Sequence, residues 1–131
     1  MSKFSKDFFD YFNYVKNNSR DIDYSTNCEK YRKVFLMSLN SAELYELEKI
    51  IERYHIVLYM DDEFELYKKY FELGGREENL LNNFLEYLWF WGDFDHVIPK
   101  LKEIVESKNN GKLERAIGII INDGLDGLQK I

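Results

Sequence analysis

Apolar residues recur every three or four positions along almost the whole chain, and this period constrains the fold more than any motif in it. In "KFSKDFFDYFNYVKN", Phe4, Phe8, Phe9, Phe12 and Val15 fall on one helical face. The run "NNSRD" ends that helix. Thr26, three residues before Glu29, forms a capping-box pattern that opens a second helix with Tyr31, Val34, Phe35 and Leu39 inward. Asn40 with Glu43 marks a third start, and "SAELYELEKIIERYHIVLYM" places Leu44, Leu47, Ile50, Ile51, Tyr54 and Leu58 on one stripe. Asp61 and Asp62 suit the N-terminus of a fourth helix, "EFELYKKYFEL", which Gly74-Gly75 stops.

"EENLLNNFLEYLWFW" follows and ends near Gly92. Asp95 is placed to cap the next helix, with Pro99 in its first turn, where a missing amide costs nothing. "PKLKEIVESK" runs to "NNG", and "KLERAIGIII" with "LDGLQKI" completes the chain. The expectation is an all-α fold: a compact bundle of six to seven short helices, mostly antiparallel helical hairpins because the linkers are short. Residues 1–131 suit a single α-helical domain. "HIVLYM" and "AIGIII" also fit strands, but each lacks a convincing partner run.

Composition narrows the setting. The single cysteine, Cys28, makes no internal disulfide, which fits a cytoplasmic protein. "MSKFSKDFFDYF" carries acids and aromatics where a signal peptide needs unbroken apolar sequence. The longest apolar runs, "IVLYM" and "YLWFW", are too short to span a bilayer, so no membrane role is expected.

The net charge of −6 is concentrated in one place. Residues 61–95 hold ten acids, Asp61, Asp62, Glu63, Glu65, Glu72, Glu77, Glu78, Glu86, Asp93 and Asp95, against Lys68, Lys69 and Arg76, a net of −7. The flanking stretches are nearly neutral. The same segment holds ten aromatics, from Phe64 to Phe94. Such a surface repels nucleic-acid phosphates, which argues against direct nucleic-acid binding, and attracts a basic partner.

Catalytic and metal chemistry find little support. Glu52 and His55 have the Glu-x-x-His spacing of di-iron bundles, and Asp93, Asp95 and His96 offer a loose second copy. Gly92 and Pro99 make that copy a helix junction, a poor place for rigid paired ligands, so no metal or cofactor is expected. Cys28 near a helix start has no histidine close in sequence, and no Gly-x-Ser-x-Gly occurs. Gly74-Gly75 is followed by "REEN", acidic where a phosphate loop needs lysine. "DDEFE" lacks the spaced ligands of a calcium loop. No enzyme activity is expected.

The aromatic helix carries the sharper signal. Leu81, Phe84, Leu85, Leu88 and Trp91 form one core stripe, while Tyr87, Phe90 and Phe94 fall on a second and Trp89 on a third side. A helix that is apolar all round is either buried or serves a second surface. Partial exposure of Tyr87, Trp89 or Phe90 is favoured, with Tyr67 and Tyr70 extending the patch. Aromatics beside acids fit the core and rim of an interface. The expected partner-binding residues are Asp61, Asp62, Glu63, Glu65, Tyr67, Glu77, Glu78, Glu86, Tyr87, Trp89, Phe90, Asp93 and Asp95.

In size, in its lone cysteine, and in "DDEFELYKKYFE" and "LEYLWFWGDFD", the chain resembles the small acidic helical immunity proteins that neutralise nuclease toxins, such as those of contact-dependent growth inhibition and colicin systems. That resemblance implies an inhibitory protein whose partner is a basic toxin or nuclease domain. A phage-encoded inhibitor of a host nuclease or CRISPR effector has the same character. A helical scaffold or oligomerisation domain is the other alternative, with exposed aromatics that are self-complementary; the oligomeric state stays open.

Overall fold

The computed structural model describes residues 2–18, 24–54 and 60–131, with side chains from 2–17, 29–54 and 60–131. Among the described residues every regular element is helical: α1 Lys3–Asn18, α2 Tyr24–Ser38, a 3₁₀ turn Leu39–Ser41, α3 Leu44–Tyr54, α4 Met60–Glu72, α5 Glu78–Trp91, α6 Ile98–Ser107 and α7 Asn110–Leu128. The all-α expectation holds. "AIGIII" lies inside α7, with Ala116, Ile117 and Ile120 buried at helical spacing. Helix α2 begins at Tyr24, so Thr26 lies inside it and does not mark its start. Residues 19–21 of the "NNSRD" stop, the Thr26 side chain, His55, Leu58 and most of "HIVLYM" lie outside the described residues.

Two aromatic clusters organise the core. In the first, Phe4, Phe8 and Tyr11 on one face of α1 meet Phe35 of α2, and Tyr11 stacks on Phe35 at 5.2 Å and 15°. Tyr54 of α3 closes over Phe8 at 5.5 Å and Phe12 at 4.9 Å. In the second, Tyr67 and Phe71 of α4 interleave with Phe84 and Tyr87 of α5, with ring centroids 5.2–5.3 Å apart across the pairs. Leu101 and Val105 of α6 and Ile117 and Ile120 of α7 complete its apolar surroundings. Complete burial of one such ring is worth about 1.5–3 kcal/mol.

The helix ends show where local chemistry decided the fold. Gly92 takes φ 92° at the C-cap of α5, and its N–H donates to the Leu88 carbonyl at 3.3 Å, as the sequence suggests. Gly75 packs so tightly that a Cβ there would lie 2.1 Å from the Tyr70 ring. Two start signals need correcting. The box that opens α3 is Glu43 with Glu46, whose carboxylate accepts from the Glu43 N–H at 3.2 Å, while Asn40 sits one turn earlier in the 3₁₀ turn. Asp95 does not cap α6: buried Phe94 and Val97 anchor the turn, and the Phe94 carbonyl accepts from the N–H groups of Val97 and Ile98 at 2.9 and 3.0 Å. "LDGLQKI" is not a separate helix; Leu125–Leu128 continue α7 across a kink at Gly124 (φ 71°, ψ −162°).

Helix α2 departs furthest from its expected face. Phe35 and Leu39 are buried, but Tyr31 and Val34 are exposed, and Met37 stands out further still. Apolar residues occupy positions 34–37 in succession. They go round the helix and leave the sequence no contrast from which to choose a face.

A candidate partner-binding surface on α5

Helix α5 is divided lengthwise. At about 100° per residue, its outward arc takes Glu78, Asn79, Asn82, Glu86, Trp89, Phe90 and, just past the cap, Asp93, all exposed. The inward arc takes Leu80, Leu81, Phe84, Leu85, Tyr87 and Leu88, all buried, with Trp91 half-buried at the C-terminal end of the same arc. Trp89 is 61% exposed and Phe90 46%, although both are large and apolar. Their rings touch edge to face, with centroids 4.9 Å apart and an interplanar angle of 88°. Glu86 stands one turn before Trp89, and Asp93 follows the Gly92 cap that ends the helix. The arc contains no cationic residue.

The structure separates the thirteen expected partner residues into three groups. Glu78, Glu86, Trp89, Phe90 and Asp93 share the α5 arc described above. Asp61, Glu65, Glu77 and Asp95 reach solvent elsewhere; Asp61 lies at the start of α4 beside the C-terminal half of α5, where the Tyr87 hydroxyl donates to the Met60 carbonyl at 2.5 Å. The remaining four, Asp62, Glu63, Tyr67 and Tyr87, are interior and are not surface residues as the sequence reading has them. Tyr70, expected to extend the patch, is buried as well.

Each of these burials has a cause. Asp62 is 0% exposed and accepts hydrogen bonds from the Tyr11 hydroxyl and the Arg32 guanidinium, which joins α4 to α1 and α2. The bond to Asp62 raises the Arg32 pKa, against the cost of desolvation. Glu63 is 2% exposed beside the tyrosine pair. Tyr67 and Tyr87 follow the inward stripe of α4 and α5. Burial raises both hydroxyl pKa values far above the usual phenol range, and the nearby Glu63 carboxylate adds to the rise. Tyr70 points its hydroxyl at the linker to α5, where it accepts from the Glu77 N–H at 2.9 Å; burial raises its pKa too.

Several polar ties are not visible in the sequence. Arg76 lays its fork on Glu114 of α7, donating from Nε at 2.6 Å and from Nη2 at 3.1 Å. Its Nη1 donates to the carbonyls of Phe71 and Gly75 at 3.0 and 2.6 Å. One guanidinium thereby fastens the end of α4 to α7, and its hydrogen bond holds the Glu114 carboxyl below the usual range. Glu46, buried at the start of α3, accepts from the hydroxyls of Ser2 and Ser5. Desolvation pushes the Glu46 pKa up, but those hydroxyls and the Glu43 amide outweigh it, so the net displacement is downward.

For metal chemistry, Glu52 lies exposed on α3 and its spaced partner His55 is outside the described residues. Asp93, Asp95 and His96 all face solvent on the α5–α6 turn. Among the described residues no group of three His, Cys, Asp or Glu side chains converges as a metal-ligand set requires. None of the described helices is long and apolar enough to cross a membrane. No protein-family model, curated protein or solved structure matches this chain.

Proposed function

We propose that the chain is a small acidic binding protein that covers a basic surface on another protein, and that this partner is a nuclease toxin domain for which the chain acts as the immunity protein. The reading rests on the outward arc of α5, where an exposed Trp89–Phe90 pair is set in a face whose only charges are carboxylates. Exposed aromatics provide the desolvated anchors of an interface, and surrounding acids speed encounter with a cationic partner and exclude anionic ones. On this reading the acids take positions that nucleic-acid phosphates occupy on the nuclease. An inhibitor of a host nuclease or CRISPR effector uses the same chemistry against a different target.

Co-expression with a candidate nuclease toxin domain, chosen from the genes flanking this one, tests the reading. The expected result is a complex that survives size-exclusion chromatography, weakens with salt, suppresses nuclease activity, and is lost with Glu86→Lys or Asp93→Lys. Nuclease activity that is unaffected by an excess of the chain sinks the immunity reading.

A second reading, a self-associating scaffold, draws on the exposed row Tyr31, Val34 and Met37 on α2, flanked by Lys30 and Lys33. A basic apolar face and an acidic aromatic face then lie on the same chain. Sedimentation across a concentration series separates the readings: association that Trp89→Ala abolishes favours the scaffold.

A further inference from the structure

We propose that the cleft between α6 and the kinked end of α7 binds a small amphipathic anion, with one carboxylate or phosphate head on a short apolar body. The cleft holds about 310 Å³. Ligand sites run from about 300 to 1,000 Å³, so this one suits a small molecule. Ile104 of α6 with Ala116 and Ile119 of α7 gives it an apolar floor, and Lys112, Arg115 and Lys130 stand around it. No acidic side chain among the described residues lines it. Lys112 and Arg115 lie one turn apart on α7, on the face that Ala116 and Ile119 continue. A straight helix would carry Lys130 about 27 Å past Lys112, at 1.5 Å per residue. The break at Gly124 (φ 71°, ψ −162°) turns the chain instead, and Lys130 lines the same cleft as Lys112. Lys100 of α6 fastens the returning segment, donating from Nζ to the Ile131 carbonyl at 2.8 Å.

The positive charge at this cleft is unanswered. The side chains of Lys112, Arg115 and Lys130 are exposed and make no ion pair among the described residues. Glu114, between Lys112 and Arg115 in sequence, is held instead by the Arg76 fork. Three like charges beside apolar surface favour an anion that also brings apolar surface. Its head gains charge-assisted hydrogen bonds, for which the planar Arg115 guanidinium matches a carboxylate or a phosphate. Its body leaves water against the isoleucines. A cationic amphiphile is repelled, and a bare anion gains no apolar contact. The site belongs to α6 and α7 and does not depend on the α5 reading above.

Isothermal titration calorimetry of the full chain with octanoate and octyl phosphate tests the site. Acetate and octyltrimethylammonium serve as the head-only and reversed-charge controls. Both octyl anions are expected to bind at one per chain, and both controls far more weakly. The tighter of the two anions identifies the head group. Arg115→Gln and Lys130→Gln should each weaken anion binding by about two- to fivefold and leave octyltrimethylammonium unchanged. Both positions are exposed, so thermal melts of the variants should match the native protein. No binding of either octyl anion at millimolar concentration, equal binding of the octyl cation, or anion binding that survives both substitutions overturns the site. So does a chain that sediments with anionic phosphatidylglycerol vesicles but ignores the monomeric octyl anions, because a membrane surface and not a cleft is then recognised.

Discussion

Tyr67 and Tyr87 allow one substitution to be tried twice with opposite expected signs. Their rings are 5.3 Å apart in the same cluster and both side chains are buried. The Tyr87 hydroxyl donates to the Met60 carbonyl at 2.5 Å. The Tyr67 hydroxyl is buried with no hydrogen-bond partner among the described residues. Tyr87→Phe removes a made hydrogen bond; water reaches Met60 in part, so the expected loss is about 0.5–1.5 kcal/mol. Tyr67→Phe removes a polar group whose desolvation no hydrogen bond from the described residues offsets, a burden of about 1–3 kcal/mol, less the packing its oxygen provides. The net expectation is a gain of about 0.5–1 kcal/mol.

Urea unfolding followed by far-UV circular dichroism measures both. With a slope of about 1–3 kcal/mol per molar for a small domain, each change moves the midpoint by roughly 0.3–1 M in opposite directions. The slope itself should not change. The double variant measures the coupling between the two rings, since neighbours in contact need not be additive. If Tyr67→Phe destabilises as much as Tyr87→Phe, the buried hydroxyl is satisfied and the reasoning about it is refuted.

Three further outcomes follow from the same geometry. Trp89→Ala should change unfolding stability by less than about 0.5 kcal/mol, while Phe84→Ala, on the opposite side of α5, should cost about 3–5 kcal/mol; chemical denaturation of both variants compares them directly. Arg76→Met should destabilise by about 1–2 kcal/mol because two carbonyls lose their donor, and Glu114→Gln by much less because Glu114 is exposed; thermal melts that rank the two in the reverse order contradict the clamp. The folded pKa of Glu46 is depressed, so the stability it contributes is present above its unfolded value of about 4.3 and is lost as pH falls through the lower folded value. The stability gap between native protein and Glu46→Gln should thus be widest near neutral pH and close in acid; a gap independent of pH removes the argument.

Helix identity was legible in the sequence because the three- and four-residue spacing is strong in α1, α3, α4 and α5. Trp89 and Phe90 were legible as surface candidates for a related reason: a core stripe at Leu81, Phe84, Leu85 and Leu88 leaves no room for them on the same side. The choice between Tyr87 and its neighbours was not, since Tyr87 lies at the edge of the inward arc, where 100° decides burial. Asp62 could not be assigned from spacing because its partners are 51 and 30 residues away, at Tyr11 and Arg32. A carboxylate in a helix's first turn looks the same in sequence whether it greets solvent or a guanidinium from another helix. The outward face of α2 was missed because its apolar residues are contiguous.

The lengthwise division of α5 separates two kinds of hereditary constraint. Substitutions at Leu81, Phe84 or Leu88 are tested by the neighbouring helices, and most exchanges there disturb the interior. Substitutions at Asn82, Trp89 or Phe90 fall on exposed positions, so they change the surface while the scaffold stays as it was. A lineage built on this helix can therefore exchange its outer residues one at a time without first becoming unstable, which is the freedom that the binding role proposed above requires.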